Sequence, residues 1–398
     1  MPKRRTKGTA ARTRLNGDYD AVICGASFAG LAVARELAGT RLGTRRARVL
    51  LLDRYDIGER QTSACAAPTT WLEALGLERS IQQSFSDLVI HTPHTTVRYA
   101  LPWSFSTFDY SELCSLLDRQ NEAQFETATV KGSLSGEGDD GRGESRTQSA
   151  PVVIVTDRGE LSAPLVVDGL GWRRVLGSSS YQPPTAPLSR GLEVHPFGNG
   201  RDLEIWIDRS VVPAGYGWSF PAADEVRVGV GSFDPGFHVK QPTVQLAEEL
   251  RREAIRYQGN WIPHKLRDAT ADGIFFVGDS AGHCLPLTAE GIRTAFYFGI
   301  ACGRELRRVL EGRATRETAL RRYGGFSARH EWAFRWMLRA QKIVPRIPPR
   351  LLATGLEGIA APGLIRWSFD HYLKIAHPGF AMIGPAAAAK GPEEALAA

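Results

Sequence analysis

Two short segments about 250 residues apart carry residue types that suit a dinucleotide. The first is Tyr19-Asp20-Ala21-Val22-Ile23-Cys24-Gly25-Ala26-Ser27-Phe28-Ala29-Gly30. It reads as an apolar strand, a tight turn and the start of a helix. Gly25 permits the turn, and small residues at Ala26 and Ser27 let the backbone approach a pyrophosphate. Gly30 lets the helix pack close to the strand, with its N-terminus toward the phosphates. Ser27 is bulkier than the glycine usual at its place. A second apolar run, Val49 to Asp53, ends in an acid where ribose hydroxyls would be accepted. Arg54, next to it, either flanks an adenine or stays solvated. A Gly-rich turn in an ordinary βαβ unit is the plainer alternative, and Asp53 argues against it.

The second segment is Gly273-Ile274-Phe275-Phe276-Val277-Gly278-Asp279-Ser280-Ala281-Gly282. The carboxylate of Asp279, at a strand end beside Gly278, can accept a hydrogen bond from a ribityl hydroxyl. The helix that follows aims its N-terminus toward a flavin pyrimidine, where negative charge grows on reduction. Pro286 and Gly291-Ile292 suit a flat ring held at close range. Together the two segments predict FAD, bound by the N-terminal and C-terminal portions of one chain. No second dinucleotide fingerprint is present, so an external reductant would bind transiently as NAD(P)H or be an electron-transfer protein.

Composition excludes several other classes. The chain has 398 residues, 43% hydrophobic and 23% charged, ordinary values for a globular protein of this size. Its net charge of +6 is spread along the sequence without a nucleic-acid motif, so no nucleic-acid partner is expected. No apolar run is long enough to span a bilayer. Residues 1–17 are basic without an apolar core, which predicts a disordered tail rather than a targeting device. The five cysteines, Cys24, Cys65, Cys114, Cys284 and Cys302, have neither disulfide-framework nor zinc-site spacing. They fit a reducing, cytoplasmic compartment. The histidines show no repeating metal-ligand spacing, and no metal is expected.

Hydrophobic periodicity predicts the elements that position these motifs. A short helix is expected near Leu72–Leu77, strands of a second sheet over 86–101, and a helix over 109–124. The stretch 131–150, rich in Gly, Ser and charge, reads as a solvated loop. Strands follow at 152–156 and 164–168, then strand-like segments over 185–235, a helix over 242–257 and another over 289–310. Residues 384–398 read as a second disordered tail.

The order GxSxxG, then Val167-Asp168-Gly169, then Gly278-Asp279 is similar to flavoproteins of the aromatic-hydroxylase type. Within that superfamily, Gly215-Tyr216-Gly217-Trp218-Ser219-Phe220-Pro221 resembles the YxWxFP pattern of geranylgeranyl reductases. Pro286-Leu287-Thr288-Ala289-Glu290-Gly291-Ile292 is also close to that family. The resemblance covers about 18–310. It implies an α/β protein: a Rossmann-like FAD-binding domain, an interleaved antiparallel-sheet substrate domain and a C-terminal helical region. The corresponding segments are 18–84, 109–180 and 263–317 for the first, 85–108 and 181–262 for the second, and 318–383 for the third. Asp168 is implied on the cofactor side. Tyr216, Trp218 and Phe220 are implied to line a substrate pocket; core aromatics are the alternative, and strand alternation suits both. Trp172 stands where many relatives carry a small polar residue. Arg173 and Arg174 either clamp a pyrophosphate or pair with acids.

The resemblance places the loop carrying Cys65 beside the flavin, where its thiol is a candidate proton donor. Two buried small hydrophobes is the plainer reading of Cys65 and Cys284. The implied reaction is reduction of C=C bonds in a hydrophobic, prenyl-type substrate by hydride from reduced flavin. A monooxygenase, a halogenase and a non-redox cyclase are alternatives on the same fold. The absence of any Lys between Lys7 and Lys131 argues against the halogenase, whose pattern requires an early active-site Lys. In the tail, Trp332, Phe334, Trp336, Met337 and Leu338 alternate with Arg329, Arg335, Arg339, Lys342, Arg346 and Arg350. This mixture over 318–380 suits an interfacial helix on anionic lipid, and equally a helix packed on the catalytic lobe.

Overall fold

The computed structural model describes residues 13–61, 63–134, 151–177 and 188–382. The tail expected over 384–398, and most of the loop expected over 131–150, lie outside these residues. So do residues 1–12 of the N-terminal tail. Residues 13–17 are docked instead: Leu15 is buried and its N–H donates to the Arg158 carbonyl at 2.8 Å.

β1 (Ala21–Cys24), α1 (Phe28–Leu37), a small exposed hairpin of β2 (Arg41–Leu42) and β3 (Arg45–Arg46), and β4 (Val49–Asp53) follow in order. β1, α1 and β4 are the expected βαβ unit, with β1 and β4 paired in parallel. Next come β5 (Ala66–Pro68), α2 (Thr69–Ala74), the long hairpin β6 (Ile81–His91) and β7 (Thr96–Phe108), and α3 (Tyr110–Asp118). The Asp109 carboxylate caps α3 by accepting from Glu112 N at 2.7 Å. The chain then forms β8 (Gln124–Thr127), β9 (Val130–Leu134), β10 (Val152–Thr156), β11 (Gly159–Ala163) and β12 (Leu165–Asp168). Three of these depart from the sequence reading. The helix expected to 124 ends at Asp118, Val130–Leu134 is a strand rather than loop, and β11 was not foreseen. β9 pairs with β10, and pairing supplies the backbone partners that its polar composition gives no sign of.

β13 (Leu188–Val194), β14 (Leu203–Trp206), β15 (Gly215–Ala222) and β16 (Glu225–Ser232) lead into α4 (Lys240–Glu249), then β17 (Gln258–Pro263), β18 (Thr270–Ala271) and β19 (Ile274–Phe276). The helices α5 (Ile292–Leu310), α6 (Arg316–Ala328), α7 (Glu331–Ile343), α8 (Pro349–Ile359), α9 (Pro362–Lys374) and α10 (Gly379–Met382) complete the chain.

These strands form two main sheets. One has the order β18-β19-β12-β1-β4-β8, parallel apart from the edge pair β18–β19. Setting that edge aside, its five parallel strands have the Rossmann order 3-2-1-4-5, with the reversal between β1 and β12. The other has the order β17-β13-β16-β15-β14-β6-β7-β5. It is mixed rather than purely antiparallel, because β14 runs parallel to β6. That seam joins segments far apart in the chain, so no hairpin turn imposes an antiparallel direction. Ala66–Pro68 and the start of β6 also belong to this sheet, although they fall within the 18–84 segment expected on the cofactor side.

The central core packs α1 and α5 against the parallel sheet. Small residues set this approach: a Cβ on Gly299 would sit 2.7 Å from the Ala29 carbonyl, and one on Gly303 2.9 Å from that of Val33. α1 is therefore buried nearly all round and its N-terminus is held rigidly at the carboxyl ends of the strands.

Candidate functional site

A single cavity of about 1480 Å³ lies between the two sheets and the C-terminal helices. That exceeds the 300–1,000 Å³ or so of a typical small-molecule pocket and leaves room for a dinucleotide together with a second ligand. One wall is built at the carboxyl ends of β1, β4, β12 and β19. Lining residues there include Ala26, Ser27, Asp53, Arg54, Gly169, Gly171, Gly278 and Asp279. Two distant sequence motifs thus meet at the switch point of one parallel sheet, where open α/β sheets bind ligands.

The Gly-rich turn is braced from several sides. Gly25 has φ +106, and a Cβ on it would overlap the Gly169 carbonyl. A Cβ on Gly30 would overlap the Gly25 carbonyl, which explains the third position of the fingerprint. Asp53 accepts from Ala26 N at 2.8 Å and from Tyr55 N at 3.1 Å, so it also fixes the turn. The hydroxyl of Ser27 pairs with Tyr110 Oη at 3.2 Å, which gives the oversized residue a partner. Arg54 lies over the Tyr55 ring at 4.8 Å.

Gly278 has φ +59, opening the segment that turns Asp279 to the cavity. Among the described residues the Asp279 carboxylate has no hydrogen-bond partner, and burial pushes it up to about 6. Burial here disfavours the charged form. The folded protein is therefore least penalised by this group below the ordinary carboxylate range, and loses stability as pH rises through about 6. Asp279→Asn is expected to raise the melting temperature of flavin-free protein at neutral pH and to leave it unchanged near pH ~3. Differential scanning fluorimetry at both pH values checks this.

Four expected cofactor residues do not line the cavity: Gly25 and Gly30, which shape the turn, and Asp168 and Pro286. Asp168 is fully buried and accepts from Leu170 N at 2.9 Å, Leu176 N at 2.8 Å and Ser280 Oγ at 2.7 Å. It ties the β12 turn to the Gly278–Asp279 segment and so shapes the wall from behind. Pro286 is buried with its carbonyl accepting from Gln341 Nε2 at 2.5 Å. Gly291 and Ile292 do line the cavity. Of the two arginines after Trp172, Arg173 lines it and stacks on Trp172 at 5.2 Å. Arg174 is buried over the Phe276 ring.

The opposite wall is the face of the second sheet that carries Tyr216, Trp218 and Phe220. The Tyr216 hydroxyl donates to the Thr288 carbonyl at 2.6 Å, linking this wall to the segment before α5. The Trp218 indole crosses the bare backbone of Gly229 and donates to Glu193 Oε2 at 3.1 Å. Leu88, Ile90, Trp103 and Phe105 from β6 and β7 extend the apolar lining. Leu351, Leu352, Leu356 and Phe369 from α8 and α9 close it. The C-terminal helices therefore form part of the wall, which periodicity within each helix alone does not reveal.

Cys65 lines the cavity at φ +52, and Cys284 lines it too; both are free thiols. Burial pushes the Cys65 thiol well above its ordinary value. A thiol that holds its proton this tightly is a weak acid, which weighs against the donor role expected of it. His283 stacks on Phe298 at 3.7 Å with Nε2 at 3.0 Å from Ser327 Oγ, and it does not line the cavity. Glu193, Gln258 and Tyr372 are not singled out by the sequence, because they sit in no motif: sheet register brings Glu193 and Gln258 together, and helix docking brings Tyr372 to Glu290.

No protein-family model matches the chain. It is 30% identical over 191 residues to the chloroplastic geranylgeranyl diphosphate reductase of Nicotiana tabacum, a match covering 44% of this chain and 40% of that protein. It is 26% identical over 140 residues to the digeranylgeranylglycerophospholipid reductase of Methanocaldococcus jannaschii, covering 30% and 33%. The matched segments thus span two fifths or less of these relatives. In fold it is similar along nearly its whole length to a geranylgeranyl bacteriochlorophyll reductase-like protein from Thermoplasma acidophilum. The TM-score is 0.75 at 17% identity, covering 91% of this chain and 97% of that one. The chain is thus similar over part of its length to proteins named geranylgeranyl reductases, and it shares the fold of a geranylgeranyl reductase-like protein. The residues present fit FAD. A glycine cradle that any Cβ would fill, a rigid helix N-terminus and an unpaired carboxylate surround one cavity.

Proposed function

We propose that this chain is an FAD-dependent oxidoreductase that saturates C=C bonds of a hydrophobic, prenyl-type substrate. The observation that carries the reading is the continuity of the cavity. It runs from the glycine cradle to an apolar lining of Trp103, Phe105, Leu351, Leu356 and Phe369. A polar cofactor and an extended hydrocarbon can occupy it together.

In this reading the Gly25–Gly30 turn and the α1 N-terminus hold the pyrophosphate, and Asp53 and Arg54 hold the adenosine end. Asp279 takes a ribityl hydroxyl, and Gly291 with Ile292 lies against the ring. Bound FAD supplies a hydride when reduced. The chain orients the substrate with Tyr216, Trp218 and Phe220, excludes water and provides a proton. NAD(P)H or an electron-transfer protein is the proposed reductant, docking transiently.

The test is anaerobic incubation of the dithionite-reduced holoprotein with a geranylgeranyl-bearing lipid, read by mass spectrometry. The expected product gains two hydrogens per reduced bond. An unchanged mass, as a cyclase would give, or a gained oxygen only when air is admitted, as a monooxygenase would give, overturns the reading.

The C-terminal helices are proposed to meet an anionic membrane surface from which such a substrate is drawn. Among the described residues no helix is long and apolar enough to cross a membrane. Trp332, Trp336, Leu351 and Trp367 are each more than half exposed, beside Arg335, Arg339, Lys342 and Arg350. Leu351 also lines the cavity. Burying each large apolar side chain contributes about 1.5–3 kcal/mol. The triple change Trp332→Ser, Trp336→Ser and Trp367→Ser is therefore expected to reduce co-sedimentation with phosphatidylserine vesicles at least about tenfold. Equal pelleting of the triple variant and the parent would rule out this contact.

A further inference from the structure

Behind Trp218, on the cavity face of the second sheet, a row of buried ionisable groups leads from the cavity to the protein edge. Glu193 lines the cavity with a side chain only 4% exposed. Its Oε2 accepts from Trp218 Nε1, and its Oε1 accepts from Gln258 Nε2 and lies 2.9 Å from His195 Nε2. The other ring nitrogen of His195, Nδ1, lies 3.5 Å from Glu225 Oε1. Glu225 in turn is held by Arg227 Nε at 3.0 Å and by Arg256 Nη1 at 3.3 Å. Arg256 is 42% exposed, so this end of the row reaches solvent.

We propose that Glu193 is the proton donor for the proposed saturation, and that His195, positioned by Glu225, restores its proton from solvent. The proposal rests on the reductase reading. Each saturation adds one hydride and one proton across a C=C bond. The hydride comes from bound reduced flavin, and the electron pair of the double bond forms the new C–H bond as the Glu193 O–H bond breaks. The Glu193 carboxylate then takes the Nε2 proton of the His195 imidazolium. The neutral ring keeps its Nδ1 proton against Glu225, and Nε2 is reprotonated by water that enters the cavity as product leaves. Oxidised flavin and the saturated product remain, with one solvent proton consumed.

Three features support this assignment. Such a reaction needs a proton source at an otherwise apolar wall, and Glu193 is buried there 2.9 Å from the His195 Nε2, whose proton it receives and passes on. Burial works to lower the affinity of His195 for its proton, yet Glu193 and Glu225 outweigh it, and the imidazole is raised above its ordinary value. Glu225 is held down to about 2 despite its burial, by His195 and Arg227. It therefore stays ionised and serves as the anchor of the imidazolium. The charged or titratable groups facing this row are Glu193, Glu225, Arg227, Arg256 and Cys65. Arg227 is 1% exposed and donates through Nη1 to the carbonyls of Ala64 at 2.8 Å, and of Cys65 and Phe108 at 3.1 Å. This locks the row to the cofactor-side loop.

The test compares parent, Glu193→Gln, His195→Gln and Glu225→Gln holoproteins with the same lipid. Flavin content and circular dichroism certify each fold. Glu193→Gln is expected to lose roughly a hundredfold in kcat with KM little changed. His195→Gln and Glu225→Gln are expected to shift the alkaline limb of the kcat profile and to lose roughly tenfold at high pH. Independently of activity, NMR titration of the His195 ring in flavin-free protein is expected to move to lower pH in both Glu193→Gln and Glu225→Gln. A parent that leaves lipid mass unchanged sinks the reductase reading and this proposal with it. A parent that saturates the lipid while the variants keep its rate and pH profile sinks the proposal alone. An unmoved His195 titration likewise overturns the coupling on which it depends.

Discussion

Arg293→Leu is expected to destabilise the protein by about 3–5 kcal/mol, the scale for breaking one partner out of a buried ion pair. Arg293 is fully buried. Its Nε lies 2.6 Å from Glu290 Oε1, and its other nitrogens donate to the carbonyls of Tyr372 at 3.2 Å, and of Leu373 and Ala376 at 3.3 Å. The Trp71 indole donates to the same Ala376 carbonyl at 2.9 Å. One guanidinium therefore fastens the end of α9 to the start of α5, and Tyr372 completes the latch by donating to Glu290. Leucine would leave a carboxylate and several helix-end carbonyls buried without their donor. Urea unfolding monitored by tryptophan fluorescence gives the size of the loss. Because α8 and α9 form part of the cavity wall, KM for the proposed lipid substrate is expected to rise as well. Adding Glu290→Leu to Arg293→Leu is expected to recover part of the stability, since both charges are then gone. A single variant as stable as the parent would mean the latch contributes nothing.

Gly25→Ala is expected to yield folded protein purified without flavin. Two penalties combine. At φ +106 an L side chain is strained, by about 1–3 kcal/mol. The new Cβ would also overlap the Gly169 carbonyl, and forcing these strand ends apart costs a further ~1–3 kcal/mol. Gly169 N donates to the Cys24 carbonyl at 2.7 Å, so β1 and β12 cannot separate without losing that bond. A displacement here moves the N-terminus of α1 away from the phosphates. Flavin affinity is expected to fall at least about a hundredfold, which corresponds to ~2.7 kcal/mol. Gly39→Ala is the control. Gly39 has φ +70 with nothing within 4 Å of a Cβ, so it carries strain without a clash and lies outside the cavity. The variant is expected to retain its flavin. Visible absorbance of the purified proteins decides, and a yellow Gly25→Ala protein would refute the geometric argument.

The parts of the fold that follow local rules were legible in the sequence. An apolar run, a glycine turn and a helical pattern predict β1, α1 and β4, because periodicity and backbone freedom act over a few residues. Gly278 and Asp279 were legible for the same reason. The alternation of Tyr216, Trp218 and Phe220 correctly placed them on one face, and register decided that this face lines the cavity. Asp168 and Pro286 show the limit. Both sit in flavin-associated motifs, yet Asp168 spends its carboxylate on Leu170, Leu176 and Ser280, and Pro286 packs against Gln341. Proximity along the chain does not say which way a side chain turns. Val130–Leu134 shows another limit, since strand pairing rather than composition makes it a strand.

The sequence by itself determined a glycine turn between strand and helix, an acid at a strand end and an aromatic strand, since each is written in consecutive residues whose geometry is local. Only the tertiary structure decided that these surround one cavity, that α8 and α9 help close it, and that Glu193, His195 and Glu225 form one row. The reason is physical. Glu193 and Glu225 stand on neighbouring strands, and Arg293 meets Tyr372 across 79 residues of chain. Such contacts depend on register and helix docking, which arise from burial summed over the whole core rather than from any local pattern.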